Sequence, residues 1–220
     1  LSIINSHLIK GAAIILTDAT LMDRRFWEEV RNNNATTFGG VPYIYEMLKK
    51  LRFEHMNLPS LKYITQAGGK LSMKLTAEFA DICANKEIEF YVMYGQTEAT
   101  ARMSYLPCEY ACTKVGSIGV PISGGKFWLE DENRNVVKKN NTIGELVYQG
   151  DNVTMGYAES CFDLKNGDEN KGILHTGDLA KRDANGFYYI TGRMKRFLKM
   201  YGNRINLDEI EELIKTAGYD

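Results

Sequence analysis

The sequence has almost no excess charge of either sign. Its 27 Lys and Arg residues stand against 28 Asp and Glu residues, which leaves a formal net charge of -1 over 220 residues. Proteins that hold nucleic acid or an anionic membrane by bulk electrostatics need a clear positive excess. We therefore expect no nucleic-acid partner. A local cationic site for phosphate groups remains compatible with this balance.

Long hydrophobic runs are missing as well. The longest clean apolar run covers residues 12–16, whereas a helix needs about 20 apolar residues to cross a bilayer. No basic segment followed by a long apolar stretch is present, so the sequence predicts no signal peptide. We expect no membrane span and a cytoplasmic location.

Cysteine is scarce and is not arranged for metal binding. Among Cys83, Cys108, Cys112 and Cys161, only the second and third are close in sequence. No other Cys or His pair at a metal-like spacing accompanies them. The cysteines are therefore predicted to be ordinary reduced thiols, which is typical of a cytosolic protein.

The beginning of the sequence lacks the features of a natural N-terminus. The first residue is Leu1 and not Met, and residues 2–9 have the character of the later turns of a helix. Natural chains usually begin with a loose polar stretch. We expect the sequence to be a fragment of a longer protein.

The first half alternates between strand-like and helix-like segments. Strands are predicted at residues 12–16, 36–38, 62–65 and 89–93, and helices at residues 26–31, 42–51 and 72–85. Pro42 suits a first helical turn, and Ser72 suits an N-cap. Strands separated by helices at this rhythm indicate an α/β fold that contains part of a mainly parallel sheet with flanking helices.

The pattern changes from about Val115, where helical periods disappear and glycine becomes frequent. Strands are predicted at residues 126–129, 145–148 and 187–190, and a last helix is predicted to begin near Asn206. We therefore expect a β-rich subdomain followed by the start of a small C-terminal α+β domain. The predicted boundaries are 1–114 for the α/β part, 115–192 for the β-rich part and 193–220 for the rest.

Two glycine-containing turns follow neighbouring predicted strands. Gly68 and Gly69 can let a flat ligand approach the backbone; the alternative, which the glycine pair taken alone favours, is a plain strand-to-helix turn. In the second turn, Thr97 can hydrogen-bond a phosphate oxygen and Glu98 can hold Mg²⁺. The alternative for Glu98 is an acidic residue placed to suit a helix N-terminus.

Two further candidates lie in the β-rich part. Asp178, in a His-Thr-Gly-Asp sequence that is predicted to end a strand, can bridge the hydroxyls of a ribose. Its alternative is a simple Asx turn. His175 is interpreted as structural. Arg193 can pair with phosphate or ribose oxygens, or it can belong to a solvated linker.

Taken in order, these segments resemble the adenylate-forming superfamily, which includes acyl-CoA synthetases, luciferases and the adenylation domains of peptide synthetases. Residues 94–98, Tyr-Gly-Gln-Thr-Glu, match its Y-G-x-T-E signature, and residues 38–42 resemble its F-x-x-V-P segment. The other segments that resemble family motifs are 67–69, 116–121, 144–157, 176–178, 192–193 and 199–211.

The resemblance implies a two-step reaction. A carboxylate attacks ATP with the help of Mg²⁺ to give an acyl adenylate, and a thiol, usually CoA, then displaces AMP. The residues that the resemblance places around adenine are Gly68, Gly69, Lys70, Tyr94, Gly95 and Gln96, with Ile190 over the base. Those placed at the phosphates and the ribose are Thr97, Glu98 with its Mg²⁺, Asp178 and Arg193. Those that would border the carboxylate pocket are Val41, Tyr43, Gly68 and Tyr94.

The resemblance also places Lys195 at the hinge about which the small domain rotates between the two half-reactions. Two family features are missing from the sequence, namely the Gly/Ser/Thr-rich phosphate loop and the late catalytic lysine. We therefore expect a fragment of an acyl-CoA-synthetase-like ligase of fatty acid metabolism, with little activity alone. The alternatives are a catalytically incompetent nucleotide- or acyl-binding remnant, and an amino-acid-activating protein that serves a carrier thiol. The acid and the oligomeric state stay open.

Overall fold

The computed structural model describes residues 2–194, 197–200, 203–207, 210 and 213–214. The α-helices are α1 (Ser2–Ile9), α2 (Arg24–Asn32), α3 (Pro42–Lys50) and α4 (Met73–Asn85). Short 3-10 helices cover Phe53–His55, Thr97–Ala99, Cys108–Tyr110 and Asp163–Lys165. The strands are β1 (Thr37–Gly40), β2 (Tyr63–Gln66), β3 (Glu89–Tyr94), β4 (Ser104–Leu106), β5 (Val120–Pro121), β6 (Lys126–Glu130), β7 (Gly144–Gln149), β8 (Ile173–Arg182), β9 (Tyr188–Arg193), β10 (Phe197–Met200) and β11 (Asn203–Asn206).

The chain forms two compact units, unit 1 (Leu1–Ile122) and unit 2 (Ser123–Asp220). The domain boundaries that we placed after residues 114 and 192 remain predictions. None of the helices in the described part of the chain is long and apolar enough to cross a membrane.

Unit 1 is built on a sheet with the strand order β1-β2-β3-β4-β5. The pairs β1–β2 and β2–β3 are parallel, whereas β3–β4 and β4–β5 are antiparallel. The predicted α/β class and the parallel arrangement of the first strands are therefore confirmed, and the two later strands make the sheet mixed. Because three neighbouring strands run in one direction, their carboxyl ends meet at one edge of the sheet.

Two helices of unit 1 begin where the sequence predicts. Pro42 occupies the first turn of α3, where its missing N–H costs nothing. Ser72 is the N-cap of α4, and its side chain accepts a hydrogen bond from the Leu75 N–H at 3.3 Å. These local signals fix the directions in which the chain leaves β1 and β2.

The core of unit 1 is aromatic. The Tyr45 ring lies 4.9 Å from that of Phe79 and 5.7 Å from that of Phe90, measured between centroids. Such edge-on and tilted pairs contribute about 0.5–1.5 kcal/mol beyond the burial of their area. Cys83 is buried in the same cluster, and burial raises the pKa of its thiol to about 12. All four cysteines are free thiols, as predicted.

One predicted strand of unit 1 is wrong. Residues 12–16 adopt no regular structure, and Leu16 is exposed. A short apolar run predicts burial, but pairing needs a neighbouring strand edge that the sequence cannot reveal. No strand among the described residues pairs with this segment.

Unit 2 contains an antiparallel sheet with the order β6-β7-β8-β9, so its predicted β-rich character is confirmed. The Phe127 ring packs 5.3 Å from Tyr148 and 5.2 Å from Tyr188. The Tyr188 hydroxyl donates to the Phe127 carbonyl oxygen at 2.9 Å. A hairpin of β10 and β11 follows, and the backbone at Leu207 is helical.

Candidate functional site

In unit 1, three predicted segments leave the same edge of the sheet. β1 leads into Val41, β2 leads into the turn at Gly68, and β3 leads into the turn that carries Glu98. The register pairs Gly40 with Gln66, so the first two segments begin side by side. This is the edge at which parallel sheets bind ligands.

The glycine turn after β2 packs directly on the start of α3. Gly68 has a φ of +77°, and a Cβ added there would lie 3.1 Å from Val41 Cγ1. A Cβ on Gly69 would lie 3.1 Å from Pro42 Cγ. Both glycines are exposed, so the turn presents bare backbone at the sheet edge.

A buried amide holds this turn in place. Gln66, the last residue of β2, is only 1% exposed, and its Nε2 donates to the Gly69 carbonyl oxygen at 2.7 Å. The Ala67 N–H donates to the Gly40 carbonyl oxygen at 3.1 Å. Our sequence reasoning missed Gln66. A polar residue at the end of a buried strand is the signal that points to it.

The turn after β3 is equally tight. A Cβ on Gly95 would lie 2.5 Å from the Ala101 carbonyl oxygen, which is closer than real Cβ contacts come. The Ala101 N–H donates to the Gln96 carbonyl oxygen at 3.0 Å, and the Met103 N–H donates to the Tyr94 carbonyl oxygen at 2.9 Å. The reversal places Thr97 and Glu98 on a 3-10 helix outside the sheet edge.

The side chains on this second turn differ in exposure. Thr97 is exposed and Glu98 is half-buried. Gln96 Nε2 lies 3.4 Å from the Tyr94 hydroxyl. Among the described residues, no three His, Cys, Asp or Glu side chains are grouped as a metal site. Glu98 at a turn fits the way Mg²⁺ is usually held beside a nucleotide, by one or two carboxylates together with phosphate oxygens.

The residues predicted for the carboxylate pocket occupy different places in unit 1. Val41 contacts the Gly68 turn and is nevertheless 47% exposed. Tyr43, two residues along α3, is 62% exposed. Lys70 is exposed as well. The structure therefore brings Val41 and Gly68 together, and it leaves the Tyr43 ring largely in solvent.

In unit 2, Asp178 lies inside a strand and not at its end, which corrects our expectation. The register pairs Val147 with His175 and Glu145 with Leu179. Between these pairs β7 has one residue, Leu146, and β8 has three, 176–178, so β8 bulges between His175 and Leu179. Gly177 accommodates the bulge with a φ of +68°. Bulges of this kind redirect side chains next to functional sites.

The two residues predicted for the ribose form a pair. Arg193 on β9 is opposite Asp178 on β8, and its Nε donates to Asp178 Oδ1 at 2.8 Å. Asp178 is 4% exposed. The Thr176 hydroxyl donates to the Leu146 carbonyl oxygen at 2.6 Å and accepts the Asp178 N–H at 3.1 Å. These bonds fix the bulge at both of its ends.

Of the other candidate residues of unit 2, Ile190 and His175 are described by the structure and Lys195 is not. Ile190 is half-buried on β9, opposite Ala180. His175 lies 3.7 Å from Glu145 and 3.8 Å from Glu130, measured from Nδ1 to the nearer carboxylate oxygens. Lys195, the predicted hinge, lies outside the described residues.

Comparison with known proteins shows a family relationship. A family model described as "AMP-binding enzyme" matches residues 1–158. Oxalate–CoA ligase from Arabidopsis thaliana is 30% identical over 215 residues, which are 96% of this chain and 41% of that protein. 2-Succinylbenzoate–CoA ligase from Bacillus cereus is 30% identical over 216 residues, which are 97% of this chain and 43% of that protein.

Solved structures show the same fold. The o-succinylbenzoate CoA synthetase of Bacillus subtilis, in complex with its acyl-adenylate intermediate, has a TM-score of 0.81 at 23% identity over 98% of this chain and 42% of that one. The same enzyme with ATP and magnesium ion has a TM-score of 0.80 at 23% identity, over 99% of this chain and 44% of that one. The chain therefore spans less than half the length of the relatives that it matches.

Proposed function

The chain belongs to the AMP-binding enzyme family, within the adenylate-forming, CoA-ligase-like superfamily, and from this premise we propose that it is part of an ATP-dependent ligase that joins a carboxylic acid to CoA. The observation that carries the proposal is the edge of unit 1. Three neighbouring parallel strands end there in Val41, the glycine turn and the turn with Glu98. Each of these segments resembles a motif of the family.

The proposed chemistry has two steps. A carboxylate oxygen of the acid attacks the α-phosphorus of ATP, and pyrophosphate leaves with the electron pair of the broken P–O bond. The thiol of CoA then attacks the acyl carbon, gives up its proton and displaces AMP. Such reactions depend on in-line positioning and charge neutralisation more than on protein acids and bases.

We propose that unit 1 binds the adenine and phosphate parts of the nucleotide. The exposed backbone of Gly68 and Gly69 supplies a flat surface for adenine, in a turn that Gln66 holds rigid. The Thr97 hydroxyl donates to a phosphate oxygen, and Glu98 holds Mg²⁺. Lys70, Tyr94, Gly95 and Gln96 flank the nucleotide on this proposal.

We propose that unit 2 contributes the ribose contacts. The Asp178 carboxylate, oriented by the Arg193 guanidinium, accepts hydrogen bonds from ribose hydroxyls. Ile190 would contact the base. Residues 193–220 would begin a small C-terminal domain that turns about Lys195 between the two steps.

For the carboxylic acid substrate we propose a chemical class and not a single compound. The two relatives named above are an oxalate–CoA ligase and a 2-succinylbenzoate–CoA ligase. Val41 and Tyr43 would border the acid, together with Gly68 and Tyr94. We propose a small organic acid or a fatty acid as substrate, CoA as acceptor and the cytoplasm as the compartment. The CoA acceptor is favoured over a carrier thiol because the relatives named above are CoA ligases.

Calorimetric titration of the full-length protein with AMP tests the nucleotide site. We expect Asp178→Asn to weaken AMP binding by about tenfold or more, because a hydrogen bond to a charged group contributes about 1.5–3 kcal/mol. Asp151→Asn, a change at an exposed carboxylate of unit 2, is the matched control. Equal AMP affinity in the wild type and in Asp178→Asn would contradict the ribose role of Asp178. The absence of AMP binding by the wild type would contradict the proposed function.

A further inference from the structure

A buried carboxylate in unit 2 has no role in the proposed function. Glu145 lies on β7, is 8% exposed and is followed by the buried residues Leu146 and Val147. It is directly opposite Glu130 of β6, which places two like charges across one antiparallel pair. Such an arrangement destabilises a sheet unless something compensates it. A stability requirement alone therefore does not account for Glu145.

The compensation comes from a turn residue. Arg134 Nη1 lies 2.9 Å from Glu145 Oε2 and 3.6 Å from Glu130 Oε2. His175 Nδ1 lies beside the same oxygens. Arg134 has a φ of +65°, a backbone conformation that costs a non-glycine residue free energy. The fold thus tolerates two unfavourable features around the Glu145 carboxylate, the opposed Glu130 and the positive φ of Arg134.

The other oxygen of Glu145 points to what it holds. Glu145 Oε1 accepts the Gly177 N–H at 3.2 Å, across 32 residues of sequence. Gly177 is the residue with positive φ in the β8 bulge, and Asp178 follows it. The next β7 residue, Leu146, accepts the Thr176 hydroxyl through its carbonyl oxygen. β7 therefore holds the bulge by one side-chain acceptor and one backbone acceptor.

We propose that Glu145 is a positioning residue, which fixes the Gly177 N–H and so sets the direction in which the Asp178 carboxylate meets the ribose hydroxyls. This inference rests on the proposed function. A charged acceptor suits the role because it binds a backbone N–H about twice as strongly as a neutral one. Arg134 Nη1, 2.9 Å from Glu145 Oε2, partly offsets the negative charge that this acceptor places near Asp178.

The test compares two ligands on the full-length protein, AMP and 2′,3′-dideoxy-AMP, which lacks the ribose hydroxyls. The wild type should prefer AMP by about tenfold or more, since the bonds to Asp178 are charge-assisted. Glu145→Ala should bring this preference close to one by weakening AMP while it leaves the dideoxy affinity unchanged. A merely structural role would lower both affinities together.

Three variants make the test specific. Glu145→Gln keeps a carbonyl acceptor for the Gly177 N–H and should retain most of the preference. Glu145→Asp keeps the charge but is one methylene short of Gly177, so it should lose the preference, and it serves if Glu145→Ala fails to fold. Glu130→Gln removes a carboxylate of the same cluster whose described contacts include Arg134 and His175 but none of residues 176–178, and it should behave like the wild type.

The outcomes separate the two proposals. If the wild type shows no preference for AMP over the dideoxy ligand, the ribose role of Asp178 fails, and the Glu145 inference fails with it. If the wild type prefers AMP and Glu145→Ala or Glu145→Asp keeps the full preference, the Glu145 inference is overturned while the proposed function stands. Amide hydrogen exchange at Gly177, faster in Glu145→Ala than in Glu145→Gln, checks the bond itself.

Discussion

Two buried polar side chains of unit 1, Gln66 and Tyr45, differ in their hydrogen bonding. Gln66 donates its amide to the glycine turn, so its burial serves the candidate site. The Tyr45 hydroxyl is buried among aromatic rings and, among the described residues, has no hydrogen-bond partner. Burial also raises the pKa of Tyr45 well above its usual value, so the hydroxyl stays neutral. A buried hydroxyl without a partner costs free energy that a bonded one does not.

Removal of the two kinds of hydroxyl should therefore have different effects. Tyr45→Phe should leave the free energy of unfolding unchanged or raise it by about 1 kcal/mol, because an unsatisfied group is removed. Tyr188→Phe, which breaks the bond to the Phe127 carbonyl oxygen, should lower it by about 1 kcal/mol. Urea denaturation measures both. A loss of stability in Tyr45→Phe as large as in Tyr188→Phe would contradict this account.

At this scale the sequence reveals residue types better than their partners. Thr97, Glu98 and Asp178 were predicted because their chemistry is local to a short motif. The sequence did not single out Gln66 or Glu145, because their hydrogen bonds reach a turn and a β-bulge, respectively. The Glu145 bond joins strands that are distant in sequence, and no pattern within either strand indicates it.

The turns that leave β2 and β3 differ in how strictly they need glycine. An added Cβ at Gly95 would meet backbone atoms of Ala101 and Arg102, which cannot move without opening the reversal. An added Cβ at Gly69 would meet ring carbons of Pro42, which can shift by a few tenths of an ångström. The β3 turn is therefore the more constrained of the two.

Gly95→Ala should destabilise the protein by about 1–3 kcal/mol, as expected for forced overpacking, and should displace Thr97 and Glu98. Gly69→Ala is the matched comparison and should cost clearly less. Thermal unfolding followed by circular dichroism measures the difference. Equal melting temperatures for the two variants would show that the Ala101 backbone is not the barrier described here.

Prediction of whole elements succeeded where a local signal marks the boundary. Pro42 and Ser72 marked the starts of α3 and α4, and both helices are present. The strand predicted at residues 12–16 was wrong because an apolar run does not by itself supply a neighbouring strand to pair with. The bulge in β8 was interpreted as the end of a strand, since a Gly-Asp pair is typical of turns and its pairing with β7 lies beyond local pattern.

At the scale of the whole molecule, the family motifs are distributed over two compact units. The sheet edge of unit 1 carries the proposed adenine, phosphate and acid contacts, and the β8–β9 pair of unit 2 carries the proposed ribose contacts. The two CoA ligases named above are more than twice as long as this chain. The proposed activity therefore belongs to the full-length protein.

Acid-dependent release of pyrophosphate by the full-length protein, measured with ATP and Mg²⁺ over a panel of acids, tests the central proposal most directly. The panel contains oxalate, 2-succinylbenzoate and fatty acids of several lengths. We predict that at least one acid stimulates release, and that Glu98→Gln lowers the stimulated rate by about 10²-fold or more, since charge stabilisation of this kind is worth several kcal/mol. Glu109→Gln, at an exposed position of unit 1, should match the wild type. Pyrophosphate release that no acid stimulates, or that Glu98→Gln leaves unchanged, would contradict the account.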